Sequence, residues 1–109
     1  MLVSNHGGRQ LDRALPTAEA LPGVVDAVAG RAPVLVDGGL RSGLDVLCAL
    51  ALGADAVLLA RPVLWALAAG GADGVRDCLD AVTADLAHVM GLAGAARLSD
   101  VGPDLVHRR

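Results

Sequence analysis

A parallel α/β sheet is the fold class this sequence predicts. Three observations predict it: short apolar runs rich in β-branched residues, glycine or proline bounding the runs, and helix-period stretches between them. Runs such as Pro33-Val34-Leu35-Val36 and Ala56-Val57-Leu58-Leu59 have no polar face, as strands buried on both sides require. Strand alternating with helix brings successive strands parallel through helical crossovers. The predicted order is strand 2–5, helix 19–29, strand 33–37, helix 42–52, strand 55–60, short helix 62–69, helix 72–91 and a frayed tail at 99–109.

Each element has a local reason. The first helix carries Leu21, Val24, Val25 and Val28 on one face, and Gly30 closes it. Pro22 suits a first turn, where its missing N–H is not needed, so this helix is expected to start near Leu21. Ser42 followed by Asp45 reads as a capping box with aspartate in place of glutamate, and Gly53 ends that helix. Pro62 opens the next helix directly after Arg61. The long helix sets Val75, Leu79, Val82, Leu86, Val89 and Met90 at 3–4 spacing. Asp73, Arg76, Asp77, Asp80 and Thr83 fall on its opposite face, expected to meet solvent. Trp65, the only aromatic residue, is expected to be a packing anchor.

Chemistry concentrates where the apolar runs end. The first run passes into Ser4-Asn5-His6-Gly7-Gly8-Arg9. His6 can accept a proton near neutral pH. Arg9 offers a planar, permanently charged fork that matches a carboxylate. Together they point to chemistry on a small organic acid; an exposed turn that merely carries a histidine and an arginine is the plain alternative. The second run ends in Asp37-Gly38-Gly39-Leu40-Arg41, and the third ends in Ala60-Arg61-Pro62. Glycines after a strand expose backbone N–H groups, which with an arginine form an anion site. Two such arginines after successive strands suggest one phosphate between neighbouring loops, as in (β/α)8 barrels after strands seven and eight.

At these residues the sequence resembles the FMN-dependent α-hydroxy-acid oxidases and dehydrogenases, the glycolate oxidase and lactate oxidase family. The resemblance rests on Ser4-Asn5-His6-Gly7-Gly8-Arg9-Gln10-Leu11-Asp12, on Asp37-Gly38-Gly39-Leu40-Arg41 with Gly43 and Asp45, on Ala49-Leu50-Ala51-Leu52-Gly53-Ala54, and on Arg61-Pro62, in matching order over residues 2–98. It implies the C-terminal part of a (β/α)8 TIM barrel, about strands six to eight with their helices, over residues 1–98. FMN is the implied cofactor, and the implied reaction is oxidation of an L-2-hydroxy acid to the 2-oxo acid. By the same resemblance His6 is the active-site base and Arg9 pairs with the substrate carboxylate. Ser4 contacts the flavin. Asp37, Gly38, Gly39, Leu40 and Arg41 hold the ribityl chain and phosphate, and Arg61 is the second phosphate arginine. Ala60 departs from the family's usual glycine, where a methyl group would crowd a phosphate slightly.

Length sets a bound on this reading. A whole barrel needs ~250 residues, and this chain has 109. A fragment, a truncated gene model or one piece of a split protein is therefore expected. The family's flavin-contacting lysine and substrate-contacting tyrosine have no local substitute, because the chain has neither residue type. An inactive half-barrel that partners a missing half is one alternative function. Another is a different FMN or phosphate barrel, such as one like inosine-monophosphate dehydrogenase or isopentenyl-diphosphate isomerase, against which the Ser4–Gln10 string argues.

Composition agrees with a buried piece, since 54% of residues are hydrophobic and 19% charged. A net charge of −3 and a pI near 5.4 leave no basic patch for nucleic acid, and Arg108 and Arg109 read as a solvated end. Cys48 and Cys78 fall in predicted helices and read as inert buried thiols, and no metal site is expected. His88 and His107 lack partners at ligand spacing. Gly, Asp and Arg interrupt every apolar stretch, so no membrane association is expected and the cytoplasm is the default location. A homo-oligomer is expected of the full-length protein. The electron acceptor and the identity of the 2-hydroxy acid are not written in these residues.

Overall fold

Three parallel strands lie side by side in chain order in the computed structural model, which describes residues 1–107. The basic end at Arg108 and Arg109 lies outside the described residues. The strands are β1 (Leu2–Val3), β2 (Leu35–Val36) and β3 (Ala56–Val57). Leu2 is in register with Leu35 and Leu35 with Ala56; Val3, Val36 and Val57 form the next row. Each ladder is shorter than the predicted strands at 2–5, 33–37 and 55–60. The reason is at the carboxyl ends: Asn5 (φ −111°, ψ 20°) and Gly38 (φ 95°) turn the chain off the sheet. Sheet-like bonds still extend past the ladder, from Asp37 N to Val3 O (3.1 Å) and from Leu58 N to Val36 O (2.9 Å).

Two helices cover one face of the sheet, and the third packs on the second of them. Helix α1 (Thr17–Val28) follows β1, α2 (Gly43–Ala51) follows β2, and α3 (Arg61–Ala93) follows β3. Val3, Val36, Leu21, Val28, Ala49 and Ala54 form the buried cluster between sheet and helices. The alternation of side chains along a strand puts the other row on the far face. There Leu2 is 49% exposed and Ala56 is exposed, leaving an apolar face open beside two unpaired edges.

Helix α1 begins at Thr17, one turn before the start expected from Pro22. Pro22 therefore lies inside the helix, where its ring removes one i to i−4 bond. Leu21, 1% exposed, is the largest fully buried side chain, and its burial holds the helix down despite that loss. Ala29 (φ 49°) and Gly30 (φ 71°) close α1 in left-handed conformations, and the Arg31 guanidinium donates to the carbonyls of Ala27 (2.6 Å) and Val28 (2.9 Å).

The capping box at α2 is present as the sequence predicts. Ser42 Oγ accepts from Asp45 N (3.2 Å), while Asp45 Oδ2 accepts from Arg41 N (2.9 Å), Ser42 N (3.0 Å) and the Ser42 hydroxyl (2.9 Å). Burial would raise the Asp45 pKa, but the Arg41 N–H, the Ser42 hydroxyl and the Ser42 N–H outweigh it, with help from the Arg41 charge. The net shift is below the ordinary carboxylate value. A depressed carboxylate stabilises the fold above its unfolded pKa and loses that contribution as pH falls through the folded value. The urea midpoint should therefore drop as pH falls from the ordinary carboxylate range through the lowered folded value, and Asp45→Asn should flatten part of that drop; an identical slope in both proteins would remove the box from the acid response.

Helix α3 is two segments. Gly70 (φ −143°, ψ 15°) and Gly71 (φ 61°, ψ −144°) break it, matching the expected helices at 62–69 and 72–91. Gly71 adopts a conformation open only to glycine. The segments fold back so closely that a Cβ at Gly74 would overlap the Ala66 carbonyl oxygen. Asp73, Arg76, Asp77 and Asp80 are exposed as expected, with Asp73 paired to Arg76 at 2.8 Å. The opposite side of the long segment is only partly covered: Met90 is buried, while Leu79 is 46% exposed beside an apolar groove of about 300 Å³. The segment expected as a frayed tail instead forms 3₁₀ turns at Leu98–Asp100 and Pro103–Leu105, and Val101 packs on Leu47, Met90 and Ala95. Burial and the nearby Asp45 charge push the Cys48 thiol up, consistent with an inert residue. No metal-binding cluster occurs among the described residues, and no helix there is long and apolar enough to cross a membrane.

Candidate functional site

The loop after β1 is a tight left-handed turn. His6 (φ 55°), Gly7 (φ 64°) and Gly8 (φ 77°) follow one another in positive φ. A histidine held there is strained relative to ordinary backbone. The turn is closed by Gly8 N to Asn5 O (3.0 Å), Arg9 N to His6 O (3.2 Å) and His6 N to Ser4 Oγ (3.1 Å). Ser4, His6 and Arg9 are all exposed, so the imidazole and guanidinium face open space.

The loop after β2 is held from beneath. Thr17, 6% exposed, donates its hydroxyl to the Asp37 carbonyl at 2.7 Å. A Cβ on Gly38 would stand 2.9 Å from Thr17 Oγ1 and 3.2 Å from Asn5 Oδ1, so glycine is required by space as well as by φ. Asp37 Oδ1 and Asn5 Oδ1 are buried with no hydrogen-bond partner among the described residues. An orphaned buried acceptor is costly and calls for a donor. Arg41 is exposed; its guanidinium carbon lies over the Trp65 ring, 5.3 Å from the centroid. Trp65 is thus no buried packing anchor, being 55% exposed.

The loop after β3 completes the site. Ala60 (φ −112°) is the N-cap of α3, with Pro62 in the first turn, and its backbone needs no glycine. The Arg61 guanidinium lies against the His6–Gly8 turn, with Nη2 3.3 Å from where a Gly7 Cβ would be.

A single open groove of about 660 Å³ gathers these loops at the carboxyl ends of the strands. It is lined by every residue singled out in the sequence: Ser4, His6, Arg9, Asp37, Gly38, Gly39, Leu40, Arg41, Ala60 and Arg61. Leu58, Pro62 and Leu64 add apolar wall. Sequence reasoning missed Thr17 and the role of Asn5. Thr17 reads locally as the start of an amphipathic helix, and nothing near it signals a bond to residue 37. Chemically, the groove offers an imidazole, three guanidinium groups and an unpartnered carboxylate oxygen, a set suited to a ligand with anionic groups and hydroxyl donors.

Parallel β/α units with such residues at the strands' carboxyl ends are consistent with part of a (β/α)8 barrel enzyme. The chain belongs to the FMN-dependent dehydrogenase family, whose model matches residues 1–108. It is 51% identical to 2-hydroxyacid oxidase 2 of Rattus norvegicus over 106 residues, covering 97% of this chain and 30% of that protein. It is 61% identical over 94 residues to 4-hydroxymandelate oxidase of Amycolatopsis orientalis, covering 86% of this chain and 26% of that one. The crystal structure of mandelate oxidase with (S)-2-phenylpropionate superposes with a TM-score of 0.88 at 57% identity, over 92% of this chain and 30% of the other. The chain therefore spans about three tenths of the length of these relatives.

Proposed function

We propose that this chain forms strands six to eight, with their helices, of an FMN-dependent 2-hydroxy-acid oxidoreductase barrel. The observation that carries the reading is the one groove in which His6, Arg9, Arg41, Arg61 and Asp37 meet. The groove fits the cofactor on its own chemistry. Arg41 and Arg61 suit the phosphate, and the orphaned Asp37 Oδ1 suits a ribityl hydroxyl. Gly39, whose Cβ position faces open space, lets backbone come close without a side chain in the way. Ser4, exposed in the groove lining, suits the flavin ring.

Bound FMN supplies the two-electron acceptor. Arg9 pairs with the substrate carboxylate and fixes the α-carbon beside His6, removing orientational freedom. An imidazole nitrogen of His6 accepts the proton released as that carbon is oxidised. Placed in a full-length protein, as in the chimera below, Arg9→Lys should raise KM and lower kcat for 2-hydroxy acids, because a point charge cannot replace the fork. Steady-state kinetics on lactate, glycolate and mandelate test it; an unchanged kcat/KM for all three would remove Arg9 from the clamp.

The test of the whole reading is a chimera. This chain replaces the matching C-terminal part of the Amycolatopsis 4-hydroxymandelate oxidase. A folded chimera that binds FMN and oxidises a 2-hydroxy acid supports the reading, and a folded chimera with no bound flavin overturns it. The 109-residue chain alone should bind FMN weakly and without turnover. Pocket walls normally bury most of a ligand's surface, whereas here the groove is open and Leu2 and Ala56 are exposed on the far face of the sheet. Stoichiometric flavin with dye reduction in the isolated chain would contradict that expectation.

A further inference from the structure

We propose that Trp65 is a positioning residue for the anion site, holding the Arg41 guanidinium on its ring face so that Arg41 and Arg61 converge on one phosphomonoester. The inference rests on the phosphate reading above and adds a residue to it. Trp65 follows Arg61 by four positions in the first segment of α3, so the two share a helix face. The Arg41 guanidinium carbon sits 5.3 Å from the Trp65 centroid, within cation–π range. A cation–π contact takes up none of the guanidinium's N–H donors in a hydrogen bond, so they stay available to an anion. The Arg41 backbone is fixed as well, since its N–H donates to Asp45 Oδ2 at 2.9 Å. Root and tip of this arm are thus both held, and the rotamer freedom that phosphate binding would otherwise remove is already restricted. Trp65 is 55% exposed and absent from the buried clusters of the described residues.

The experiment compares FMN with riboflavin, which lacks the phosphate, by flavin fluorescence anisotropy against increasing concentrations of the 109-residue chain. Wild type, Trp65→Leu, Trp65→Phe, Arg41→Gln and the Arg41→Gln/Trp65→Leu double variant are measured, with circular dichroism confirming the fold of each. Trp65→Leu should weaken FMN binding about two- to five-fold, the range an exposed cation–π contact gives, and leave riboflavin unchanged. Trp65→Phe should restore most of the loss. In the Arg41→Gln background the Trp65→Leu change should have no effect, which isolates the pairwise coupling. Wild type binding FMN no more tightly than riboflavin overturns the phosphate site and this proposal with it. A phosphate preference that Arg41→Gln abolishes but Trp65→Leu leaves intact overturns the positioning role alone, as does tighter FMN binding by Trp65→Leu.

Discussion

His6→Ala, placed in the chimera, should lower 2-hydroxy-acid turnover by roughly 10²–10⁴-fold while leaving the flavin bound. The size follows from the role. General acid–base groups contribute about that much when they accept a proton from the reacting group. Retention of the flavin follows from the geometry. His6 lies on the β1 loop, whereas the residues suited to phosphate and ribityl are Asp37–Arg41 and Arg61 on the next two loops. The His6 backbone is left-handed at φ 55°, and alanine tolerates that region less well than histidine or asparagine. His6→Asn therefore serves as the companion variant, keeping the turn and removing the base. The check is kcat together with the flavin absorbance of the purified protein. Near-normal kcat in both variants would take the base assignment away from His6, whereas loss of flavin in both would give His6 a cofactor role instead.

Gly43→Ala should destabilise the chain by about 3–5 kcal/mol, combining overpacking with a lost charge-assisted hydrogen bond. Gly43 is the first residue of α2 and is buried. A Cβ there would overlap the backbone of Asp85 and Leu86 in α3, and main chain cannot rotate aside as a flexible side chain can. The same approach lets Gly43 N donate to Asp85 Oδ2 at 2.6 Å, so α3 supplies a cap for the N-terminus of α2. Separating the helices breaks that bond and opens the cluster of Leu47, Met90 and Ala95. A domain of this size has on the order of 5–15 kcal/mol to lose. Urea unfolding followed by circular dichroism measures the loss. Asp85→Asn, which keeps an acceptor oxygen, should cost much less. A Gly43→Ala midpoint equal to wild type would mean that α2 and α3 do not meet as closely as the structure has them.

Much of this was legible in the chain because its causes are local. The alternation of apolar runs with helix-period stretches determined the order of elements and the parallel sheet. Ser42 and Asp45 are three positions apart, so a capping box needs nothing from the rest of the fold. Gly70-Gly71 interrupts a helix by backbone chemistry alone. The candidate site was legible for the same reason: each of its loops follows directly from the end of an apolar run, and strands parallel in a sheet present those ends on one side.

Tertiary structure decided the rest, where partners come from afar. Strands β1 and β2 end early because Asn5 and Gly38 turn off the sheet, with Gly38 seated against Thr17. Helix α1 runs through Pro22 because burial of Leu21 outweighs one missing hydrogen bond, a balance that local propensity for proline cannot express. The bond from Thr17 to Asp37 joins residues 20 apart, that from Gly43 to Asp85 joins residues 42 apart, and Trp65 meets Arg41 across the loop, helix and strand that separate β2 from α3. Sequence determines what each segment does with its nearest neighbours along the chain; these contacts depend on which segments packing brings together, and that is set by the burial of apolar surface over the whole molecule.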